Sequence, residues 1–149
     1  MQFKFWNRLV GYMVFLVSAI VYVMTIEPSV SFWDCGEFIS TSFRLEVGHP
    51  PGAPFFMLLG RMFTFFAGGD VSKVPVCINV FSALCSAATI WLLYLSITHL
   101  AWKIAGGPEV CQPAQLLRIL GSGIVGALAY TFSDTFWFSA VEGEANTDN

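Results

Sequence analysis

The sequence predicts an all-α polytopic membrane protein with about three transmembrane helices and a short interfacial helix after the first outer loop. Of its 149 residues, 56% are hydrophobic and only 11% are charged, whereas a soluble domain usually carries about 25% charged residues. The apolar residues also form long runs, and a membrane span needs ~20 of them. The lipid bilayer is therefore one expected partner. Nucleic acid is not expected, because the sequence contains no basic tract or nucleic-acid motif.

The first span is predicted over residues 9–26, a run without any charge that Lys4 and Arg8 precede. A cleaved signal peptide is the alternative, but the apolar part of a signal peptide covers only ~7–15 residues. The longer run favours a membrane anchor. Positive charge before the first span places the N-terminus in the cytoplasm, so the next loop is predicted on the outer face.

An outer loop with an interfacial helix is predicted over residues 27–73. Ala53 to Phe66 is apolar except for Arg61 and Thr64. A helix of this length covers about 21 Å, which is short of the ~30 Å hydrocarbon core, and it would bury Arg61 in lipid. Counting positive charges on the two sides does not discriminate between three and four spans. Length and Arg61 therefore favour a helix on the outer surface.

Two further spans are predicted over residues 74–100 and 116–138, so that residues 1–149 form a single membrane-embedded domain. Small residues, among them Gly121 and Gly126, line the last span. They do not have the GxxxG spacing, but a face of small residues lets helices approach closely.

Three spans also bring two acidic clusters to the same outer face. Asp34 and Glu37 lie in the first outer loop, and Glu142 and Glu144 follow the last span. Four spans would place the two clusters on opposite sides of the membrane. We therefore predict one site that uses both clusters, although Glu142 and Glu144 fit a solvated tail equally well.

The densest polar segment of the chain runs from Glu27 to Pro54. Within it, Asp34 and Glu37 stand three residues apart and are flanked by aromatic side chains, including Trp33 and Phe38. Partial burial beside aromatic rings raises the pKa of a carboxyl group and suits it to general-base catalysis. The alternative is that Asp34 only caps a short interfacial helix.

Three further polar residues of the outer segment are candidates for binding a substrate. His49 lies in the rigid stretch GHPPGAP and could contact a phosphate, transfer a proton or bond to a carbonyl group. Arg44 and Arg61 could each hold an anionic lipid head group, since arginine pairs well with phosphate oxygens. A second interpretation is equally compatible with the sequence: the Arg61 side chain extends along the apolar surface so that its charge reaches the head groups of ordinary phospholipids.

The stretch TIEPSVSFWDCGEFISTSFRLEVGHPPGAPFFMLLGRMF resembles the opening of a bacterial membrane family catalogued as domain of unknown function 2723. That family is similar to the eukaryotic transmembrane protein O-mannosyltransferases, which belong to the polyprenyl-phosphate-dependent (GT-C type) glycosyltransferases. The resemblance extends to about Glu142 and is strongest at Phe32–Glu37 and His49–Pro54.

This resemblance implies roles for the candidate residues. Asp34 would be the catalytic base and Glu37 its acidic neighbour, and His49 matches the loop before the surface helix. A second acidic motif would lie near Glu142 and Glu144. Because the sequence after Glu144 does not continue into further apolar segments, we expect the chain to be an N-terminal fragment.

The expected function is therefore that of the N-terminal part of a polyprenyl-phosphate-sugar-dependent glycosyltransferase. It would transfer a mannose-like sugar to a hydroxyl-bearing acceptor, either an exported protein or a glycan, at the outer face of a bacterial cytoplasmic membrane. No cofactor is implied, and a divalent metal is left open because GT-C families differ in metal use. The alternative is a non-catalytic membrane component that binds or moves lipid-linked glycans or assembles an envelope complex.

Overall fold

The computed structural model describes residues 2–26, 35–48, 54–107 and 112–141, and these ranges are helical without any β-strand. The helices are α1 (Gln2–Met24), α2 (Cys35–Arg44), α3 (Pro54–Thr64), α4 (Val74–Ile104), α5 (Pro113–Thr131) and α6 (Asp134–Val141). Two 3₁₀ turns, Phe65–Ala67 and Val71–Lys73, connect α3 to α4.

Three helical segments are long and apolar enough to cross a membrane: Phe3–Met24, Val71–Ile104 and Pro113–Thr131. At 1.5 Å per residue, even the shortest of them is about 28 Å long, close to the ~30 Å hydrocarbon core. The apolar segment Pro54–Ala67 is shorter and reaches only about 21 Å. The prediction of an all-α polytopic membrane protein is confirmed.

The third long helix stops before the end of the span predicted over residues 116–138. Thr131 Oγ1 donates to the Ala127 carbonyl at 2.9 Å, and Ser133 Oγ donates to the Tyr130 carbonyl at 2.9 Å. Such side-chain bonds compete with helix continuation. A new helix, α6, then begins at Asp134, because an acidic residue is favourable in a first turn.

Helix α2 lies within the segment that the sequence predicts as an outer loop. Its acidic residue, Glu37, is in the first turn and its basic residue, Arg44, is in the last turn, an arrangement that suits the helix dipole. Its buried residues are Cys35, Phe38, Ile39, Thr41 and Ser42. Most of them follow the i, i+3, i+4, i+7 spacing of an amphipathic helix, so α2 forms because one face can be buried.

The chain divides into two compact units. The first unit consists of Met1–Val21 and Ser86–Phe136, and the second unit consists of Tyr22–Cys85 and Trp137–Asn149. The first unit therefore holds most of α1, the second half of α4 and all of α5. The second unit holds α2, α3 and the beginning of α4.

Glycines let the long helices of the first unit approach one another. A Cβ atom on Gly123 of α5 would lie 2.5 Å from Thr98 Cγ2, and one on Gly126 would lie 2.7 Å from Ile97 Cδ1. On α1, a Cβ atom on Gly11 would lie 3.0 Å from Trp91 Nε1. The predicted close approach is thus found at Gly123 and Gly126, whereas Gly121 faces open space.

The second unit has its own apolar core, which holds the short helices together. Ile39 of α2 packs with Ala67, Val74 and Ile78, and the partly buried Phe43, Phe56 and Cys77 surround them. Aromatic contacts extend this core from α2 through α3 to α4, with ring centroids 5.9 Å apart for Phe38–Phe56, 5.3 Å for Phe56–Phe81 and 4.9 Å for Phe63–Phe81. This packing fixes α2 against α3.

Candidate functional site

Three of the seven candidate residues belong to the part of the chain that the structure describes: Glu37, Arg44 and Arg61. The other four, Asp34, His49, Glu142 and Glu144, lie outside the described residues. Asp34 immediately precedes Cys35, the first residue of α2 and a fully buried one. The described part of the site therefore consists of α2, α3 and the turn that follows α3.

Glu37 lies in the first turn of α2, and its carboxylate lies beside Gly48. A Cβ atom on Gly48 would lie 3.0 Å from Glu37 Oε1 and 3.2 Å from Met57 Cε. A side chain at this position would therefore press on both the carboxylate and α3. The absence of a side chain lets the chain pass close to the Glu37 carboxylate one residue before His49.

The hydroxyl groups that follow Glu37 bond to its backbone carbonyl group. Ser40 Oγ donates to this oxygen at 3.0 Å, and Thr41 Oγ1 donates to it at 2.7 Å. Both bonds are local to α2. They stabilise its first turns without using the carboxylate oxygens of Glu37.

Arg61 of α3 connects that helix to the C-terminal end of α2. Its Nη1 donates to the backbone carbonyl of Phe43, which is one of the terminal carbonyls that a helix leaves without an internal partner. The positive charge also suits the negative end of the helix dipole. Arg61 therefore acts as a cap on α2, a structural contact that the sequence did not predict.

Two aromatic rings enclose the guanidinium group of Arg61. Its Cζ lies 5.1 Å from the centroid of the Phe43 ring and 5.4 Å from that of the Phe65 ring, within the ~6 Å range of a cation–π interaction. Arginine has five N–H donors. The Phe43 carbonyl uses one of them, so donors remain for a further acceptor.

A cavity of about 310 Å³ lies beside Arg61. Its lining residues are Phe43, Arg61, Thr64, Phe65, Ala67, Gly68, Gly69 and Val74. Among the described residues that line it, Arg61 is the one with an ionisable side chain. Gly68 and Gly69 have φ angles of 61° and 88°, and a Cβ atom on either would meet no heavy atom within 4 Å. The result is an open, positively charged and largely apolar recess.

Arg44 has different surroundings, although the sequence favoured neither arginine over the other. Its guanidinium lies 3.8 Å from Glu46 Oε1, and its side chain is 68% exposed. Exposed ion pairs of this kind contribute ~0–1 kcal/mol. Arg44 is absent from the lining of the Arg61 cavity, so of the two candidate arginines Arg61 is the one that combines a positive charge with a recess.

The candidate acid and the candidate cation lie towards opposite ends of α2. Glu37 is in its first turn, and Arg61 contacts the carbonyl of Phe43 near its last residue. The rise of the helix between Glu37 and Phe43 is about 9 Å. The candidate acid and the candidate cation are thus separated along the length of α2.

Sequence reasoning missed the residues that hold α2 and α3 together. A Cβ atom on Gly60 would lie 3.1 Å from Ser42 Oγ, so these two helices touch at Gly60. Arg61 and Phe65 are four residues apart, a spacing that brings side chains together on a helix and that could have revealed this contact. No local signal connects Phe43 to Arg61.

Among the residues described by the structure, no three His, Cys, Asp or Glu side chains form a group that could hold a metal ion. The sequence leaves the use of a divalent metal open, and four of the candidate residues lie outside those ranges.

Comparisons with known proteins identify the family. Residues 34–147 match the family described as the Protein O-mannosyl-transferase TMEM260 N-terminal domain, and all seven candidate residues lie within this range. The chain is 28% identical over 137 residues to the Protein O-mannosyl-transferase tmem260 of Dictyostelium discoideum, covering 92% of this chain and 15% of that protein. It is 30% identical over 125 residues to the Protein O-mannosyl-transferase TMEM260 of Mus musculus, covering 83% of this chain and 17% of that protein.

No solved structure is significantly similar to the chain. The chain spans about a sixth of the length of these two curated relatives. The relation to transmembrane O-mannosyltransferases is confirmed, while membership of the bacterial family stays a prediction. Since the match covers well over half of its residues, the chain belongs to the family of the Protein O-mannosyl-transferase TMEM260 N-terminal domain.

Proposed function

We propose that the chain forms the N-terminal part of a glycosyltransferase that moves mannose from a polyprenyl-phosphate donor to a hydroxyl group on an exported protein. The names of the relatives support mannose as the sugar and a protein as the acceptor. The three helices long enough to cross a membrane support a lipid-linked donor, because such a donor stays in the bilayer. The reaction would take place on the outer face, where the first loop is predicted.

In the proposed reaction, the acceptor hydroxyl oxygen attacks the anomeric carbon of the sugar. The bond from that carbon to the phosphate oxygen breaks, and the polyprenyl phosphate leaves with the bonding electrons. The Asp34 carboxylate takes the proton of the acceptor hydroxyl, and Glu37 lies three residues further on. Attack opposite the leaving group inverts the configuration of the sugar. A positioned base of this kind contributes ~10²–10⁴ in rate.

Arg61 would stabilise the leaving phosphate. Its cavity combines the guanidinium group with the rings of Phe43 and Phe65, surroundings that suit a phosphate carrying an apolar chain. Charge develops on the leaving oxygen during the reaction, and a preorganised donor aimed at that oxygen is worth ~10²–10³ in rate. His49, Glu142 and Glu144 would complete the substrate site from their neighbouring segments.

The observation that carries this proposal is the placement of Arg61. Its guanidinium lies at the C-terminal end of α2 and borders an open recess, while Glu37 is in the first turn of this helix and Asp34 precedes the helix in the sequence. An in-line displacement needs a base and an anion-stabilising cation on opposite sides of the reacting carbon, and an acid and a cation towards the two ends of α2 support this requirement.

The experiment is to measure mannose transfer from a polyprenyl-phosphate mannose in membranes that contain the protein, with Asp34→Asn as the test variant. We expect transfer to fall by ~10²–10⁴, because the amide cannot accept the proton. Asp70→Asn is the matched control. Asp70 is an exposed acid of the same unit that lines no cavity described above, and its replacement should leave transfer unchanged.

Undiminished transfer by Asp34→Asn would overturn the assignment of the base. If the protein binds the donor but transfers no sugar, the non-catalytic alternative holds: a membrane component that carries lipid-linked glycans. Donor binding and product formation are therefore measured on the same membranes.

A further inference from the structure

The first unit contains a cavity of about 660 Å³ between α1 and the second half of α4. Two cations, Lys4 and Arg8, line it from α1, and His99 lines it from α4. Lys4 and Arg8 are four residues apart and therefore lie on the same face of the helix. The proposed transfer reaction uses none of these residues.

The cations of this cavity have no acidic partner in the described part of the chain. Neither Lys4 nor Arg8 forms an ion pair with a described residue, and no acidic residue is part of the cavity lining. Glu109 and Asp134 are the only acids in the sequence of the first unit. The cavity is therefore complementary to an anion.

Aromatic rings form two walls of the cavity at two different levels. The ring of Phe3 stacks on Trp102 with centroids 5.6 Å apart, and Tyr12 stacks on Trp91 at 5.6 Å. Along α1, Tyr12 is about 12 Å from Lys4. One end of the cavity thus carries the two cations beside one aromatic stack, whereas the end at Tyr12 and Trp91 is aromatic and carries no charge. This polarity matches that of a phospholipid.

Two polar atoms of residues that line the cavity have no partner among the described residues. Asn7 Oδ1 is a buried acceptor and Trp91 Nε1 is a buried donor, and neither makes a hydrogen bond there. Both side chains line the cavity. Buried polar groups are nearly always hydrogen-bonded in folded proteins, so an occupant with a hydroxyl group would supply the hydrogen bond that Asn7 Oδ1 lacks.

We propose that this cavity binds an anionic glycerophospholipid with a hydroxyl-bearing head group. Its phosphate would pair with Lys4 and Arg8, and a head-group hydroxyl would donate to Asn7 after a rotation of that amide. The acyl chains would continue along Tyr12 and Trp91. Basic pockets between transmembrane helices bind anionic head groups in this way on the cytoplasmic side, where the N-terminus is predicted. This site is independent of the proposed transfer reaction.

A phospholipid is favoured over free phosphate because the cavity lies between helices long enough to cross a membrane and has an apolar, aromatic end. Soluble phosphate would use only the two cations. Glycerol phosphate is therefore one arm of the test, since it shares the head-group chemistry but lacks the acyl chains.

The test uses the purified protein in nanodiscs of phosphatidylcholine with increasing phosphatidylglycerol. The readouts are the phosphatidylglycerol retained by the protein in native mass spectrometry and the melting temperature. We expect a saturable rise in melting temperature for the wild type. The double variant Lys4→Gln/Arg8→Gln should weaken the apparent affinity about 30-fold, since each cation near a membrane surface contributes to binding an anionic lipid.

Two controls separate a built site from general surface charge. Lys103→Gln/Arg118→Gln removes the same charge from residues of the same unit that do not line the cavity, and it should keep the wild-type affinity. Asn7→Leu keeps every charge and removes the unpaired acceptor. This variant should have the melting temperature of the wild type in phosphatidylcholine alone. It should lose most of the rise in melting temperature that phosphatidylglycerol produces in the wild type.

The proposal is overturned if both double variants weaken binding equally, because the lipid would then respond only to surface potential. It is also overturned if Asn7→Leu gains as much stability from phosphatidylglycerol as the wild type does. Displacement of the lipid by glycerol phosphate at equal phosphate concentration would show that the acyl chains contribute nothing, and this too would overturn it.

Discussion

Two cavities of this protein are lined by cations, and they differ in how the cations are held. In the second unit, Arg61 donates to a backbone carbonyl and lies against two aromatic rings. In the first unit, Lys4 and Arg8 are exposed and have no ion-pair partner in the described ranges. One cavity therefore has a single fixed cation, and the other has two adjustable ones.

This difference indicates different tasks. A fixed donor is suited to catalysis, because it costs no reorganisation when charge develops on a leaving group. Adjustable side chains are suited to binding a lipid head group, because long stems let the charges follow the phosphate. The chemistry of a cation in a membrane protein thus depends on its neighbours as much as on its type.

Replacing Arg61 tests the fixed cation and should have the largest effect among the variants that compare the two units. Arg61→Ala removes the positive charge of the cavity and the cap of α2, so we expect mannose transfer to fall by ~10²–10³. Arg61→Lys keeps the positive charge but loses the planar guanidinium group with its fixed N–H donors. This variant should retain part of the transfer activity. Transfer rates and melting temperatures are measured for both variants. A loss of stability without any loss of transfer would show that Arg61 is only a cap.

Filling a glycine contact tests whether the first unit needs its close helix packing. A Cβ atom on Gly123 would lie 2.5 Å from Thr98 Cγ2 and 2.8 Å from Tyr94 Cε2. Gly123→Ala should therefore destabilise the protein by ~1–3 kcal/mol, as overpacking generally does. Gly121→Ala is the matched control on the same helix, since its Cβ atom would meet nothing within 4 Å. Equal melting temperatures for the two variants would contradict the packing of α5 on α4.

Gly48→Ala tests the approach of the chain to Glu37. The added Cβ atom would lie 3.0 Å from Glu37 Oε1, so the carboxylate must shift by a few tenths of an ångström. We expect transfer to fall about tenfold with little change in melting temperature, because small displacements of catalytic groups are costly. Unaltered transfer would exclude a role for the position of this carboxylate.

The smallest effect is expected at Asp70, which follows the two glycines of the Arg61 cavity. Hydrogen bonds from the hydroxyl and backbone N–H of Ser72 lower the pKa of Asp70 below its ordinary value of 3.8. A lowered pKa stabilises the folded state above the unfolded pKa, and this contribution is lost as the pH falls through the folded value. Ser72→Ala should raise the pKa of Asp70, which NMR titration of the carboxyl group measures. An unchanged pKa would contradict the hydrogen bond from the Ser72 hydroxyl group to the Asp70 carboxylate.

Helix α2 shows how much of the fold the sequence could reveal. The spacing of its buried residues and the placement of Glu37 and Arg44 at its two ends are features of the sequence itself. The glycines and prolines on both sides of the segment nevertheless favour a loop. Helix α3 is easier to predict, since its run is short and apolar except for Arg61 and Thr64. The early end of α5 depends on local bonds from Thr131 and Ser133, which hydropathy does not register.

The candidate site was predictable only in its residue types. Asp34, Glu37 and Arg61 stand out because charged residues are costly beside apolar runs. The preference for Arg61 over Arg44 could not be obtained from the sequence, since both arginines lie in the same polar region. It comes from the contact of Arg61 with Phe43, 18 residues away along the chain.

By itself, the sequence determined that this is a helical membrane protein with three long apolar segments, because composition and run length decide whether a chain enters a bilayer. It also singled out the few residues that are proposed to carry chemistry. Only the tertiary structure decided the neighbours of each charge: two rings and a helix end for Arg61, and an aromatic cavity for Lys4 and Arg8. The physical reason is that side-chain contacts between helices join residues far apart in sequence, so they follow from packing.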